Sequence, residues 1–245
     1  MSAPPHGDVH QASSQSGEPA SGKPLSSPDK VVAAIINGIA MGRFVPGQRL
    51  LEADLTRSLN ISRGPVREAL KRLAAERIIT LTRHRGAHIR SLTRQEVDEL
   101  MQVIEVLTGF AAGLAARRID EGGNRAHFIR AYERLMACRY AGDGFASMES
   151  RDRFYGAMLH IGHNRELARL LPATQVQLIR MQFQPYLHSA DRERLFHEYE
   201  SIGEAILAGD AVQADRFTRL HMDRSRKIYL NLPDAAFALD SGDNS

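Results

Sequence analysis

The sequence predicts a mostly α-helical protein, with a winged helix-turn-helix in its N-terminal third and an all-α helical bundle after it. Residues 42–94 hold twelve Lys and Arg against four acidic residues, a net charge of +8, whereas the whole chain carries only +3. After residue 95 every segment has helical spacing of apolar residues, and no alternating strand pattern follows. A basic module joined to a mildly acidic one indicates nucleic-acid binding at one end.

The N-terminal 26 residues predict a disordered arm, because they are rich in Pro, Ser and Gly and poor in large apolar residues. They lack the apolar core of a signal sequence, and the chain has no apolar run of transmembrane length. The single cysteine, Cys138, excludes an internal disulfide and fits a reducing compartment. We therefore expect a cytoplasmic protein without a membrane partner. Ser27 is the predicted cap of the first helix, with Pro28 at its first position.

Residues 52–76 predict two short helices joined by Asn60-Ile61, the arrangement of a helix-turn-helix. Ser62 is the predicted N-cap of the second helix, whose hydroxyl would accept a backbone N–H. The apolar residues of that helix share one face, and its basic residues share another. The inner face comprises Val66, Leu70 and Leu73, and the basic face comprises Arg63, Arg67 and Lys71. An anchored helix with a basic outer face can enter the major groove.

A β-hairpin is predicted directly after this helix, with strands near 78–82 and 87–90. The turn between them, Arg83-His84-Arg85-Gly86, places two arginines at its tip. Three basic residues on one helix are also typical of a solvated surface. The preceding helix and the following hairpin favour the interpretation as a winged DNA-binding domain spanning residues 27–91.

Three motifs together resemble the GntR family of bacterial transcription regulators. They are Pro46-Gly47-Gln48-Arg49-Leu50, Ser62 to Leu70, and Arg83-His84-Arg85-Gly86, and the wider layout is similar to the FadR subfamily with its helical FCD effector domain. The resemblance implies DNA contacts from Ser62, Arg63, Gly64, Pro65, Arg67, Arg83, Arg85 and Gly86, and we add Arg49 and Lys71. Ala53, where a basic residue is common, and Gly64, where Thr is common, are departures expected to shift base preference.

The second domain is predicted over residues 92–231, followed by a flexible tail at 232–245. Thr93-Arg94-Gln95-Glu96 forms a capping box at the start of a long helix that reaches Arg118. Further helices are predicted at about 124–141, 145–163, 165–187, 190–208 and 210–229. Pro172 is expected to kink or interrupt the predicted helix at 165–187. The bundle would then contain six or seven helices.

Members of the resembled family often bind a divalent metal through one Asp and three His in the helical domain. The resemblance places these positions at Arg151, Tyr155, Tyr199 and His221, of which only His221 is a good ligand. We therefore predict no metal cofactor. A divalent metal remains the alternative if the alignment is shifted, because Asp152 and His197 lie nearby. Each of them, however, would be rotated away from the inward direction.

Arg151, Tyr155, Tyr199 and His221 could instead bind an organic acid directly, with Arg151 supplying the charge that the metal supplies elsewhere. The alternative is that the tyrosines and His221 satisfy one another as a buried polar network while Arg151 faces solvent. Ile104 and Thr108 stand where members often have Arg and Glu. The pocket is therefore expected to be more apolar than usual, and to suit a larger or partly aromatic effector.

These observations predict a homodimeric regulator that binds a double-stranded DNA operator and is controlled by a small-molecule effector. Repression relieved by the effector is the expected mechanism. A constitutive dimeric DNA-binding protein with a vestigial pocket is the alternative. An enzyme is not expected, because the sequence has no phosphate loop, no G-x-S-x-G elbow and no His/Glu metal motif.

Overall fold

The computed structural model describes residues 25–82, 86–140, 144–171, 173–186 and 189–239. Some sequence predictions fall outside these ranges. They concern the arm at 1–26, apart from its last two residues, the wing-tip Arg83 and Arg85, and the local effect of Pro172.

The N-terminal domain is a winged helix-turn-helix, as predicted. Its elements are α1 (Ser27–Ala40), β1 (Arg49–Leu50), α2 (Glu52–Leu59), α3 (Arg63–Ala75), β2 (Ile79–Thr82) and β3 (Gly86–Ile89). The three strands form an antiparallel sheet in the order β1-β3-β2, with Arg49 opposite His88 and Thr82 opposite Gly86. This register brings β1, which precedes the helix-turn-helix, beside the wing that follows it.

The start of α1 differs from the prediction by one residue. Ser26, and not Ser27, is the N-cap, and its hydroxyl accepts a hydrogen bond from the backbone N–H of Asp29. Pro28 is then the second helical residue, where a missing N–H is still tolerated. The tight turn between α2 and α3 depends on Asn60, which has φ 51°. Asparagine is one of the few non-glycine residues that adopt this left-handed conformation readily.

The core of this domain forms where α1 and α3 pack on the sheet. Val31, Ile35 and Ile39 of α1 are buried. They meet the predicted inner stripe of α3, and all three of its members, Val66, Leu70 and Leu73, are buried as well. The apolar period of α3 therefore fixes its rotation and turns its basic face outward.

The C-terminal domain is all-helical, as predicted. Its helices are α4 (Arg94–Arg117), α5 (Asn124–Ala137), α6 (Gly144–Gly162), α7 (Arg165–Leu170), α8 (Ala173–Phe183), α9 (Ser189–Leu207) and α10 (Ala211–Leu230), with short 3₁₀ turns at Gln184–Tyr186 and Asp234–Ala236. The capping box of Thr93 and Glu96 is present at the start of α4. The predicted helix at 165–187 is divided, because Leu171 precedes a proline and takes an extended conformation (ψ 117°).

Residues 232–239 pack against the bundle, so the prediction of a flexible tail is wrong for this segment. Arg94 donates a hydrogen bond to the carbonyl of Leu232 (2.9 Å), and its guanidinium lies 4.2 Å from the ring centroid of Phe237. Gln182 donates to the carbonyl of Ala236 (2.9 Å), and Ala236 is buried. Sequence patterning missed this segment because it is anchored by backbone carbonyls and one aromatic ring, with no helical period.

The two domains contact each other directly through α8. Leu178 of α8 is fully buried in the apolar core of the N-terminal domain. Gln175 donates to the carbonyl of Glu76 at the end of α3 (3.2 Å). On the linker, the backbone of Leu92 exchanges two hydrogen bonds with the side chain of Gln182 (2.8 and 2.9 Å). The bundle therefore determines where the N-terminal domain lies.

Candidate DNA-binding surface and effector site

The outer face of α3 carries the residues predicted to contact DNA. Arg63, Arg67 and Lys71 are exposed, on a different face of the helix from its buried stripe. Ser62 starts the helix with an extended backbone (ψ 163°), but its hydroxyl makes no capping hydrogen bond. The predicted capping role of that hydroxyl is therefore wrong. Since Ser62 is also exposed, its hydroxyl is free to donate a hydrogen bond to a phosphate oxygen.

The basic residues of α3 differ in whether they form ion pairs. The Nε atom of Arg67 donates to Oε2 of Glu52 on α2 (2.9 Å), and both side chains stay largely exposed. Arg72 instead turns toward α1 and pairs with Asp29 (2.7 Å). Hydrogen bonds from Ser26 and Arg72 lower the pKa of Asp29. Within the described residues Arg63 and Lys71 form no ion pair, so their charges stay available for phosphate.

Gly64 and Gly86, both predicted to contact DNA, differ in whether the backbone conformation requires a glycine. Gly86 begins β3 with φ 85°, a conformation that favours glycine. A Cβ there would lie 3.8 Å from Nε of Arg49, which places that exposed arginine against the wing. Gly64 has an ordinary conformation, and a Cβ on it would meet nothing within 4 Å. Pro65 beside it is partly buried.

Three of the four predicted effector residues meet in the middle of the bundle. Tyr155 of α6, Tyr199 of α9 and His221 of α10 are all buried. The ring centroids of Tyr199 and His221 are 4.9 Å apart, and those of Tyr155 and Tyr199 are 6.4 Å apart. The three helices therefore bring together residues that are up to 66 positions apart in the sequence.

Arg151, the fourth predicted residue, lies one turn before Tyr155 on α6. It is partly buried, and its Nε atom is enclosed without a hydrogen-bond partner. Within the described residues it forms no ion pair. Its charge nonetheless acts on the site, because it lowers the pKa of His221. Arg151 is thus an uncompensated cation at the edge of the buried cluster.

His221 is held by an acidic partner that the sequence analysis missed. Its Nδ1 atom lies 2.7 Å from Oε2 of Glu198, and Glu198 also pairs with Arg224. Burial, followed by the charges of Arg151 and Arg180, lowers the pKa of His221 to about 3. Although Glu198 favours the protonated ring, burial and the two guanidiniums outweigh it. At neutral pH the ring is therefore neutral and donates Nδ1–H to Glu198.

The buried-network alternative from the sequence describes this cluster only in part, because Tyr155 interacts with Tyr199 while His221 is engaged by Glu198. His221 bonds to Glu198 and to neither tyrosine, and the hydroxyl of Tyr155 is enclosed without a well-formed hydrogen bond. Burial raises the pKa of Tyr155 well above its ordinary value, so its hydroxyl stays protonated. The hydroxyl faces the Tyr199 side chain, which raises the same pKa further, but no well-formed hydrogen bond joins the two side chains.

A second buried arginine, Arg180 of α8, was not predicted from the sequence. Its guanidinium pairs with Asp152 and lies 5.5 Å from the ring centroid of Tyr155. Gln177, one turn earlier, donates to the same carboxylate. Asp152 was expected not to replace Arg151 in the inward direction, and in the structure it pairs with residues of α8 instead. The sequence carries little signal for Arg180 and Gln177, because α8 mixes polar and apolar residues along its length.

The donors at these positions do not suit a metal ion. The described ranges contain no group of three or more His, Cys, Asp and Glu placed to hold one. His221 is the one imidazole in the cluster, and its Nδ1 atom is engaged by Glu198. His197 is largely exposed and pairs with Glu193 and Glu200. Two guanidiniums close to His221 would also repel a cation.

Replacing His221 by glutamine should make folding less sensitive to acid. An unfolded chain titrates this group near 6.5, so between about pH 6.5 and 3 it binds a proton that the folded protein does not. Folded stability contributed by this group therefore falls as the pH decreases through that window. From pH 7 to 5 we expect His221→Gln to lose less stability than wild type by on the order of 1–2 kcal/mol.

Urea denaturation at the two pH values measures this difference. His163→Asn is the matched control, since His163 is exposed and has φ 53°, which asparagine tolerates. The control should keep the wild-type dependence on pH. Equal losses in wild type and His221→Gln would contradict a neutral buried His221.

One helix has the length and composition of a membrane span. It is α4, and half of its most apolar window is buried inside the bundle. Its inner face packs on α6, α9 and α10, as the core helix of a soluble protein does. The length and apolar composition of α4 are therefore only weak evidence for a membrane-spanning helix.

Two family patterns match the chain and together cover both domains. Residues 28–89 match the family described as "Bacterial regulatory proteins, gntR family". Residues 99–224, about half of the chain, match the family described as "FCD domain". The first match includes the helix-turn-helix and the wing, and the second includes the cluster around Tyr155, Tyr199 and His221.

Named relatives of this chain agree with both matches. The chain is 24% identical over 182 residues to the uncharacterized HTH-type transcriptional regulator YdhC of Bacillus subtilis (strain 168), covering 74% of this chain and 81% of YdhC. It is 31% identical over 110 residues to the HTH-type transcriptional repressor GlaR of Escherichia coli (strain K12), covering 42% of this chain and 47% of GlaR.

The fold agrees with solved structures of regulators at low sequence identity. The structure titled E. coli McbR/YncC superposes with a TM-score of 0.72 at 20% identity, over 84% of this chain and 97% of that one. A putative transcriptional regulator GntR from Rhodococcus sp. RHA1 gives 0.72 at 20% identity, over 85% and 100%. The relatives are regulators and not enzymes. This chain belongs to the gntR family of bacterial regulatory proteins, with a winged helix-turn-helix domain followed by an FCD domain.

Proposed function

We propose that this DNA-binding regulator is a cytoplasmic, homodimeric repressor that an organic acid releases from its operator. The family supports DNA binding and regulation of transcription. The observation that supports an acidic effector is Arg151, an uncompensated cation whose Nε atom is enclosed without a partner. A partly buried charge without an ion-pair partner is costly, and a bound carboxylate would supply one.

The remaining groups of the cluster suit a carboxylate ligand. The protonated hydroxyl of Tyr155 faces Tyr199 without a well-formed hydrogen bond, so it is able to donate to a ligand oxygen. Arg180 adds a second guanidinium near the same ring, although Asp152 already neutralises it. One cation and one phenol would bind the two oxygens of a carboxylate, and the neighbouring aromatic rings would contact its apolar body.

The proposed site works without a metal ion. The charge that a divalent cation contributes in related domains is supplied here by Arg151. The donor set around His221 supports this proposal, because the imidazole is held by Glu198 and faces two cations. Addition of a chelator should therefore leave effector binding unchanged.

Release from DNA tests the whole proposal. Genomic fragments retained by the purified protein would identify the operator, and fluorescence anisotropy would measure its affinity. We would then add aromatic and aliphatic carboxylates, each with its amide as the uncharged counterpart. A carboxylate that weakens operator binding while its amide does not supports the proposal. Tight operator binding that no acid changes would favour a constitutive DNA-binding protein with a vestigial pocket.

Dimerisation is proposed to use the exposed face of α4. Val103, Val106 and Phe110 lie on one stripe of that helix and are 52%, 49% and 44% exposed. Large apolar residues in a contiguous exposed row mark interaction surfaces. Two recognition helices related by a two-fold axis read two half-sites, which one short helix alone does not.

Phe110→Glu should convert the dimer to a monomer, because it replaces the largest side chain of this apolar stripe with a charge. Light scattering coupled to gel filtration measures the mass directly. Leu170→Glu is the matched control, because Leu170 is 66% exposed on α7, away from the stripe. The control should remain dimeric. A dimeric Phe110→Glu protein would place the interface elsewhere.

A further inference from the structure

An open notch of about 260 Å³ lies where the strands of the N-terminal domain meet the start of α2. It is lined by residues of β1, of the start of α2 and of both strands of the wing, namely Arg49, Leu50, Leu51, Glu52, Leu81, Thr82, Gly86 and Ala87. Arg49 and Gly86 belong to the predicted DNA-contacting set, and Glu52 accepts the hydrogen bond from Arg67 of α3 (2.9 Å). This wing notch is therefore continuous with the predicted DNA-binding surface.

A row of apolar side chains leads from the core of the domain into the wing notch. Ala87 of β3 lies opposite Leu50 of β1 and opposite Leu81 of β2. Residues directly opposite each other point to the same face of a sheet, so these three side chains share a face. Leu50 and Ala87 are buried, whereas Leu81 is 47% exposed. The row thus starts in the core and ends at the surface with Leu81.

Leu51 adds a second exposed leucine to the wing notch. It is 46% exposed and stands at the N-cap of α2, where residues whose side chains accept a backbone N–H are preferred. Leu51 makes no such hydrogen bond. Neither helix capping nor core packing therefore accounts for this leucine. A single exposed leucine needs no explanation, but two that line one notch on a DNA-binding surface indicate an apolar contact.

The chemistry of the wing notch favours a methyl group over a phosphate. Leu51 and Leu81 offer no hydrogen bond to an anion, and the carboxylate of Glu52 would repel one. Arg49 points to the opposite face of β1 from Leu50, because successive side chains of a strand alternate. Arg49 therefore stays available for the DNA backbone. The apolar group that the major groove displays is the 5-methyl group of thymine.

The hydrogen bond between Glu52 and Arg67 favours a base over a sugar as the apolar partner. Deoxyribose is also apolar, but it lies in the backbone and is the same at every nucleotide. Arg67 lies on the basic face of α3, which is expected to enter the major groove, and Glu52 joins Arg67 to the wing notch. This placement favours the edge of a base beside the one that Arg67 contacts.

We propose that Leu51 and Leu81 bind the 5-methyl group of one thymine in each operator half-site, beside the base that Arg67 contacts. The inference rests on the proposed contact of α3 with the operator and is independent of any effector. It makes the wing notch a determinant of sequence preference, since cytosine has no methyl group at this position of the major groove.

Removal of single methyl groups from the operator tests this contact. In the operator identified from retained fragments, each thymine of one half-site is replaced in turn by deoxyuridine, which pairs as thymine does and lacks only the methyl group. Fluorescence anisotropy with the full-length protein should show a loss of affinity of about fourfold at one position, the effect expected for one buried methyl group. The other positions should change little.

The double variant Leu51→Ala/Leu81→Ala links that loss to the wing notch. It should bind the thymine duplex more weakly than wild type does, and it should no longer distinguish that duplex from the deoxyuridine duplex. Leu170→Ala is the matched control, because Leu170 is exposed on α7, outside the N-terminal domain. The control should keep the wild-type difference. If the double variant does not fold, Leu51→Ala alone, which leaves the wing unchanged, should reduce the difference.

Two results would overturn the thymine contact. One is an operator in which no thymine responds to replacement by deoxyuridine. The other is a double variant that loses the same affinity on both duplexes, which would place Leu51 and Leu81 against deoxyribose. In either case tight operator binding would leave the DNA-binding function intact. A protein that retains no specific fragment would instead refute the proposed function, and this inference with it.

Discussion

Arg67→Ala is expected to weaken operator binding by about 10- to 100-fold, the loss typical of an arginine that pairs with a base, roughly 1–3 kcal/mol. Arg67 is exposed at the centre of the basic face of α3, and Glu52 holds its guanidinium from α2. This ion pair limits the rotamers of Arg67 before DNA arrives, so less side-chain entropy is lost on binding. Fluorescence anisotropy with the identified operator measures the change.

Arg72→Ala is the matched control for Arg67. It removes the same charge from the same helix, but Arg72 turns toward α1 and pairs with Asp29. Its effect on operator affinity should be several times smaller. Glu52→Gln adds a second check, since it removes a negative charge beside the DNA and should strengthen non-specific binding. Equal losses for Arg67→Ala and Arg72→Ala would mean that α3 does not present Arg67 to the bases.

Arg151→Gln is expected to abolish release by the acid while leaving operator affinity without effector unchanged. Without the Arg151 guanidinium, a bound carboxylate loses a charge-assisted hydrogen bond. Such a bond contributes about 1.5–3 kcal/mol, so the affinity of the acid should fall about 10- to 100-fold. Isothermal titration with the carboxylate found in the release assay measures this directly. The matched amide should bind wild type and Arg151→Gln equally weakly.

Arg153→Gln is the control for Arg151. It lies two residues further along α6, is half exposed, and pairs with Glu149 on the surface. Its loss should not change acid binding. If Arg151→Gln binds the acid as wild type does, the effector is held elsewhere in the bundle, and Arg180 becomes the remaining buried cation to test.

Local sequence signals were sufficient to predict the N-terminal domain. The apolar period of α3 fixed which of its faces is buried, and Asn60 marked the turn before it. The capping box at Thr93 likewise marked where α4 begins. Each of these signals lies within a few residues of the feature it predicts, so no knowledge of long-range packing was needed.

The effector cluster was only partly predictable, because its partners come from distant helices. The family resemblance placed Tyr155, Tyr199 and His221, which do meet in the bundle. It gave no sign of Glu198 or Arg180, since their roles depend on how α8 and α9 are rotated against α6 and α10. The partners of Asp152 on α8 were not predictable for the same reason. A helical wheel shows which residues share a face but not which neighbour covers it.

The segment at 232–239 has a consequence for how far the DNA-binding domains can move. The backbone N–H of Ala238 donates to the carbonyl of Leu92, in the linker between the domains (3.1 Å). Arg94, just beyond that linker, is held by the same segment. These contacts hold the linker in place at Leu92 and Arg94, so it does not act as a free hinge. The spacing between two bound half-sites would then be set by residues that touch neither DNA nor ligand, and loosening them would widen the range of operator spacings that the protein accepts.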